Sequence, residues 1–418
     1  MNLEDKIWID WKTLLKKIKG KNIILFGRGE EWIDKASLKL GRYKNKILIV
    51  DNNKSYHNTL FKNIKVLSPK FLNKIDKNKY FIIITSTAYE SVISELQKKF
   101  IAGKHYCCLP DYKGWSILKK IREYDKKIIF TSPDYAQKSK IRHSKSGGGI
   151  FLFDLKKNLC KKKINGNFRQ IKRLGENFVT VEFVKKKLIF FNKKFKIIKK
   201  INLNQNDKFQ LPNCCGVDYC NTKKKYYVIN AGNDQIQIYD KNLVYIECVP
   251  FSDQFKKYQV SRHHLNDITV YKGKVYVSYF SLKGGWKDGK NDGGISEVSF
   301  FKKKCKKKVI VKNVEMPHSL KFFNNQLFFL GSFKGQLQNK SKKILGQFPG
   351  FVRGLDFDGK YFFIGQSENM YLLKSQGLSK NINCNAGIYL FDSKFKYSRF
   401  FSLPHVMNIH DLVCLNEK

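Results

Sequence analysis

Two hairpin phrases recur along the second part of this chain, and they restrict its fold more than any other feature. The first appears as GGGIFLFDLKKN (147–158), NDQIQIYDKNLV (233–244), DGGISEVSFFKKK (292–304) and NAGIYLFDSKFK (385–396). In each, a small or polar lead precedes alternating apolar residues, then a polar turn and lysines. The second appears as NDITVYKGKVYVSYF (266–280), HSLKFFNNQLFFLGS (318–332), RGLDFDGKYFFIGQS (353–367) and, more loosely, GVDYCNTKKKYYVINAG (216–232). It reads as a strand, a Gly/Asn/Lys turn and an aromatic second strand, the period-2 signature of a hairpin. Together the two phrases describe four-stranded antiparallel sheets recurring at uneven spacing, about every 35–60 residues. Radial repetition is the usual way to cover both faces of such sheets.

Counting inner strands from roughly 169, 216, 266, 318, 353 and 409 predicts a six-bladed β-propeller. The last inner strand, HDLVCL, lies too near the C-terminus to be followed by partners. It is expected to complete a blade begun by residues 128–162, closing the ring without a covalent link.

Residues 1–115 follow a different rule. An amphipathic opening from Trp8 to Ile18 leads into the apolar run NIILF and the turn Gly27-Arg28-Gly29. The run KILIVD ends on Asp51, and YFIIITST follows, with a helical pattern over Tyr89–Phe100. Strand, Gly turn, helix and a strand ending in an acid is the order of a dinucleotide-binding half-domain, so Gly27, Gly29 and Asp51 are candidate nucleotide-binding residues. The fingerprint is degenerate: Glu30-Glu31-Trp32 follows, with no third glycine and two acids that would repel a pyrophosphate. A structural or docking role, toward a partner enzyme, stays open beside it. The expected fold is therefore mainly β: a six-bladed β-propeller over 146–418, a small Rossmann-like α/β domain over 1–115, and residues 116–145 as linker and start of the closing blade.

The formal charge of +47 raises the question of nucleic acid, but only nine of the 81 basic residues are Arg. Bidentate phosphate and base recognition favour the planar guanidinium fork. Lys, Asn, Phe and Ile share AT-rich codons, so a biased genome accounts for the charge. The KKK runs at Lys161–Lys163, Lys185–Lys187, Lys223–Lys225, Lys302–Lys304 and Lys306–Lys308 fall where hairpin tips are expected. Nucleic acid is the weakest partner reading; a glycan or other small anionic ligand is kept. No apolar run approaches the roughly 20 residues of a membrane helix, and the opening MNLEDKIWIDW has no apolar signal core. A cytoplasmic location is expected, and the ten cysteines read as reduced thiols, Cys214, Cys215 and Cys220 lacking the spacing of a zinc site.

Residues at the starts of the inner strands converge on the mouth of a propeller channel, and here they are polar. They read Ser261-Arg262-His263-His264-Leu265-Asn266-Asp267, Pro317-His318-Ser319, Phe351-Val352-Arg353-Gly354 and His410-Asp411, with Gly216-Val217-Asp218 on another blade. Five of the eight histidines (263, 264, 318, 405 and 410) lie in or near these positions. His263, His264, His318 and His410 suit general acid–base work near neutral pH, oriented by Asp267 or Asp411. The same His, Asn and Asp set suits a divalent metal equally well on residue type. Arg353 can pair with a carboxylate or phosphate. Asn266 and Ser319 are candidate substrate-binding residues, and the loop SLKGGWKDGKNDGG (281–294) offers Trp286 as a face for a sugar ring. A polar plug that merely satisfies inner-strand backbone groups is the competing reading of the cluster.

The segments HHLNDITV, YFSLKGGWKDG, GGISEV, MPHSL, GFVRGLDFDG, FIGQSE, AGIYLFD and HDLV, between about 210 and 411, resemble a bacterial family of β-propellers of unknown function. The resemblance implies a propeller with the HH-x-ND, PHS and RGL positions at a shared site, and it implies no reaction. More distantly the pattern resembles calcium-dependent six-bladed lactonases and esterases, whose ligands are mainly Glu, Asn and Asp; the histidines here depart from that set. Residues 1–115 resemble small Rossmann-like domains of bacterial surface-polysaccharide proteins. Two functions follow as expectations: an enzyme of surface-glycan synthesis acting on a sugar or sugar nucleotide at the channel, or a non-catalytic glycan- or protein-binding scaffold using the same channel.

Overall fold

The computed structural model describes residues 3–136, 143–203, 213–368 and 381–415. The chain divides into two compact units, Met1–Arg122 and Glu123–Lys418. The first unit therefore runs through the helix Lys113–Arg122, past residue 115, and the strand Lys127–Ser132 already belongs to the second. Residues 137–142 of the expected linker lie outside the described residues.

The N-terminal unit is α/β with a mixed sheet. Its strands are β1 (Asn22–Phe26), β2 (Ile47–Val50), β3 (Leu60–Phe61), β4 (Ile64–Leu67), β5 (Tyr80–Ile84) and β6 (Tyr106–Cys108), in the order β3-β4-β2-β1-β5-β6. All neighbours are parallel except β3 and β4. The central strands read NIILF, ILIV and YFIII because helices cover both faces of a parallel sheet, which removes the need for polar alternation. The expected amphipathic stretch from Trp8 is interrupted: Asp10 caps the helix Trp11–Lys17 by accepting from Thr13 N at 2.7 Å.

The second unit is a six-bladed propeller. Blade 1 contains Asp411–Leu415, Lys127–Ser132, Gly149–Asp154 and Leu159–Asn165, from the axis outward. Blades 2 to 6 begin with the inner strands Phe168–Leu174, Cys214–Cys220, Leu265–Tyr271, Pro317–Phe323 and Phe351–Phe357, each followed outward by three antiparallel strands. The ring closes by Asp411–Leu415 pairing with Lys127–Ser132. Between neighbouring blades the aliphatic and aromatic faces interlock. Ile229, Ile236 and Ile238 of blade 3, for example, pack against Leu265, Ile268 and Val277 of blade 4.

Two of the five lysine runs are not at hairpin tips. Lys161–Lys163 and Lys306–Lys308 lie in the outermost strands of blades 1 and 4. An outermost strand presents unpaired backbone groups, and lysines there oppose edge-to-edge pairing with another chain.

Each inner strand of blades 2 to 6 carries one residue more than its partner near its start. The bulged residues are Arg169-Gln170, Cys215, Asn266-Asp267, Ser319-Leu320 and Arg353-Gly354. Such an insertion breaks the alternation of the strand and re-aims side chains. Directly below the mouth, side chains tie every blade to the next through a backbone N–H. Gln170 Oε1 accepts from Val217 N at 3.0 Å, Asp218 Oδ2 from Val270 N at 2.7 Å, and Asp267 Oδ2 from Ser319 N at 2.8 Å. Ser319 Oγ accepts from Gly354 N at 2.8 Å, Asp356 Oδ2 from Cys414 N at 2.7 Å, and Asp411 Oδ2 from Ile171 N at 3.2 Å. These six bonds make a closed ring around the axis, and they satisfy N–H groups on the inner strands, whose axis-facing edge has no further strand to pair with.

Candidate functional site

Above that ring lies a cavity of about 220 Å³ lined by Arg169, Asn213, His264, Asn266, Phe280, Trp286, His318, Arg353 and His410. The bulges deliver Arg169, Asn266 and Arg353 to it, and the turns entering the inner strands deliver His264 and His410. His264 sits in the left-handed region at φ +51°, immediately before Leu265. Met316 takes the same conformation before Pro317 (φ +49°), so this strain belongs to blade entry rather than to one ligand contact. The His264 ring stacks on Trp286 at 4.1 Å and 23°. Trp286 is held over the mouth by its backbone N–H on Arg262 O and by the two-pronged ion pair of Arg262 with Asp288, at 3.1 and 2.5 Å. The loop of residues 281–294 is thus a fixed wall of the cavity.

His318 is 2% exposed, and its Nδ1 faces Met316 O at 2.9 Å and Ser332 Oγ at 2.7 Å. A carbonyl oxygen only accepts, so Nδ1 carries the proton and Nε2 is the basic nitrogen the ring can offer to the cavity. Burial, reinforced by the nearby Arg353 charge, holds the imidazole well below its usual range, so His318 is neutral. The His318 and His410 ring centres are 6.4 Å apart.

The remaining sequence candidates fall elsewhere. His263 does not line the cavity: Nδ1 donates to Ser281 O at 2.8 Å and Nε2 faces Ser252 Oγ at 2.6 Å, and burial lowers its pKa. The left-handed turn at His264 separates the adjacent pair and sends His263 between blades 3 and 4. Asp267, Ser319 and Asp411 belong to the ring below the cavity rather than to its wall. Burial and then the neighbouring Asp411 charge push Asp267 up to about 7, and burial raises Asp411 against the pull of Lys321, 3.7 Å away. Part of the cluster is therefore the polar backbone tie that competed with the catalytic reading.

Arg169, Asn213 and Phe280 line the cavity but were not candidates from sequence. Arg169 had a signal: Phe168-Arg169-Gln170-Ile171 matches Val352-Arg353-Gly354-Leu355 position for position across the bulge, in a chain poor in arginine. Among the described residues no three His, Cys, Asp or Glu side chains are grouped to hold a metal ion. The described lining holds three histidines and no carboxylate, and its two arginines oppose a divalent cation there.

In the N-terminal unit, Gly27 and Gly29 are explained by packing. A side chain at Gly27 (φ +112°) would lie 2.6 Å from Ser86 Cβ, and one at Gly29 would lie 2.9 Å from Thr85 O. Asp51 accepts from Arg28 N at 2.6 Å and Asn53 N at 2.7 Å, which fixes the turn after β1. The Arg28 guanidinium lies between the Tyr56 and Phe61 rings, at 4.1 and 4.5 Å.

Residues 250–386 match the profile of a domain of unknown function, DUF4915. The match covers blades 4 and 5 and the inner half of blade 6, hence His263 to Arg353 but neither Arg169 nor His410. No curated protein sequence matches the chain. Similar solved structures include a protein of unknown function from Bacteroides caccae, at 10% identity over 70% of this chain and 100% of that one, TM-score 0.46. Another is a nidogen/laminin complex, at 8% identity over 70% and 98%, TM-score 0.46. A third is a provisionally assigned 6-phosphogluconolactonase from Bacteroides uniformis, at 9% identity over 70% and 99%, TM-score 0.39. Nothing about activity follows from these; the six blades are established by the strand pairing itself. No helix among the described residues is long and apolar enough to cross a membrane.

Proposed function

We propose that the protein is an enzyme that binds a sugar-sized ligand in the channel-mouth cavity and acts on it by acid–base chemistry, with His318 as the base. The observation that carries this reading is His318 itself. It is a buried, neutral imidazole whose tautomer is fixed by Met316 O, and it lines a cavity shared with His264 and His410. A neutral imidazole has a free nitrogen lone pair to take a proton, and its lowered basicity calls for a ligand that is itself acidified in the cavity. The volume of about 220 Å³ is below the roughly 300–1,000 Å³ of pockets for drug-sized ligands. It suits one sugar ring and leaves the nucleotide of a sugar nucleotide outside. The Trp286–His264 stack offers that ring an aromatic wall.

The proposed setting is surface-glycan precursor synthesis in the cytoplasm. It is supported by the resemblance of residues 1–115 to polysaccharide-protein domains and by the ten free cysteines. The parallel strands of that unit, taken in chain order, run 3-2-1-4-5, which supports a Rossmann-like reading. Gly27, Gly29 and Asp51 are already engaged within the fold, which favours docking of a partner enzyme over nucleotide binding there.

The test is a thermal-shift screen of monosaccharides, sugar phosphates and sugar acids on the full chain, followed by turnover assays on each hit. His318→Gln is expected to keep ligand binding within about threefold and to lower turnover by 10²–10⁴-fold, the usual contribution of a general base. Binding that persists with no turnover by the native protein makes the channel a recognition site, the second reading.

A further inference from the structure

The propeller has a second concavity, away from the channel mouth. Inner strands start at the mouth, so Tyr271 and Phe322, near the ends of the inner strands of blades 4 and 5, lie toward the opposite face. From there a groove of about 590 Å³ runs outward between the two blades. Its origin is a mismatch of strand length. The two outer strands of blade 4, Gly294–Phe301 and Lys304–Lys312, have 8 and 9 residues, whereas those of blade 5, Gln336–Asn339 and Ile344–Gln347, have 4 each. The short strands leave part of blade 4 uncovered, and Tyr276, Glu297, Lys308 and Ile310 line the groove there.

The lining combines an aromatic cluster with lysines. The Tyr271 and Phe322 rings stack at 4.1 Å and 3°, the Tyr276 ring meets Phe322 at 5.0 Å, and Ile310 and Leu327 add to the apolar surface. Glu297, the only acid in the described lining, is taken by Lys274 at 3.1 Å and by the Tyr276 hydroxyl at 3.4 Å. The net charge of the lining therefore comes from Lys272, Lys308 and Lys340. These stand on three separate segments: the inner hairpin tip of blade 4, its outermost strand, and the outer hairpin tip of blade 5. Lysine is common along the whole chain, so its charge matters here only because it surrounds a preformed groove with exposed ring faces.

The dimensions narrow the occupant. The lining takes residues from all four strands of blade 4, so the groove crosses three strand spacings, roughly 14 Å at about 4.8 Å each. An extended chain advances about 3.3 Å per residue, so about four residues fill that length, and a single sugar ring does not.

We propose that the groove between blades 4 and 5 docks an extended acidic segment of a partner protein, in which carboxylates alternate with aliphatic or aromatic side chains. Alternate side chains of an extended segment point to opposite sides. Its apolar residues pack on the Tyr271–Phe322 cluster while its carboxylates reach Lys272, Lys308 and Lys340. The site is separate from the channel cavity and does not depend on the reading of that cavity.

Fluorescence anisotropy of the full chain with a labelled octapeptide alternating glutamate and leucine tests it, with labelled octaglutamate as the charge-only probe. The alternating peptide is expected to bind about tenfold or more tightly than octaglutamate. A variant carrying both Lys308→Glu and Lys340→Glu is expected to weaken that binding about tenfold or more. One carrying Lys161→Glu and Lys163→Glu, on the outermost strand of blade 1, makes the same change of charge and is expected to weaken it less than about threefold. All four lysines are exposed, so both variants are expected to fold. Equal loss in the two variants would show diffuse attraction to a basic chain and overturn the groove. Octaglutamate binding as tightly as the alternating peptide would mark a general polyanion surface and also overturn it, as would failure of both probes to bind at millimolar concentration.

Discussion

The ring and the cavity above it are built from the same strands, often from consecutive residues, and yet they are opposites. Asn266 and Asp267 are neighbours on one bulge, as are Arg169 and Gln170 on another. The second member of each pair goes down into a closed circuit in which one side chain per blade accepts from the next blade's backbone. The first lines the cavity, and Asn266 Nδ2 and Arg169 Nε have no partner among the described residues. Both layers are polar and buried, so burial alone does not tell a structural residue from a functional one. What each layer does differs: the ring's side chains accept from the next blade's backbone, whereas those two nitrogens beside the cavity lack a partner among the described residues, a condition that Asp267 Oδ1 in the ring shares.

That contrast is broken most severely at the closing strand. Deleting residues 411–418 removes the inner strand of blade 1, two ring bonds and the buried side chains of Leu412, Val413 and Cys414. Burial at about 1.5–3 kcal/mol per large apolar side chain puts the loss near the whole stability of an ordinary domain. Circular dichroism is expected to show an unfolded or molten propeller; an unchanged melting midpoint contradicts closure by this strand.

A single ring member comes next. Gln170→Ala strips the acceptor from Val217 N and the donor from Ile268 O, all in the buried interior. An orphaned buried group costs about 1–3 kcal/mol. The expected result is a midpoint several degrees lower with ligand affinity unchanged, measured by calorimetric melts with and without a screened ligand.

Much of this architecture is legible in the sequence. The hairpin phrases locate the inner strands to within about two residues, from Phe168 to Asp411, because turn residues and aromatic alternation are local signals. The split between ring and cavity is not legible. Strict alternation puts Asn266 and Asp267 on opposite faces of a sheet, and one extra residue at the bulge instead sends both toward the axis at different depths. His263 and His264 look interchangeable until the left-handed turn divides them. Ser319 reads as a ligand contact, but its hydroxyl is taken by Gly354 N.

Asp267 sharpens the contrast through pH. Its carboxyl is raised from 3.8 to about 7 in the folded protein. A raised folded value means that the protonated form favours folding, so this contribution is complete below about pH 4 and is lost as pH rises toward about 7. Asp267→Asn keeps an oxygen for Ser319 N and cannot ionise. The variant's stability relative to the native protein is expected to grow across that interval and level off above it, in urea melts at a series of pH values. A difference that stays flat with pH means Asp267 is ionised in the fold.

The smallest effect belongs to the cavity, and it is the most direct test of the central claim. Asn266→Leu replaces a buried amide whose Nδ2 has no partner among the described residues with an apolar side chain of similar size, whereas Asp356→Ala removes a ring acceptor from Cys414 N. Replacing an unsatisfied polar group by an apolar one of the same shape is nearly neutral or stabilising, while orphaning a satisfied one is not. Differential scanning calorimetry of the two variants beside the native protein is therefore the measurement to make. The account predicts that Asn266→Leu melts at or above the native temperature and that Asp356→Ala melts clearly below it. An Asn266→Leu midpoint as low as that of Asp356→Ala would show the amide already engaged within the fold and contradict a cavity open to a ligand.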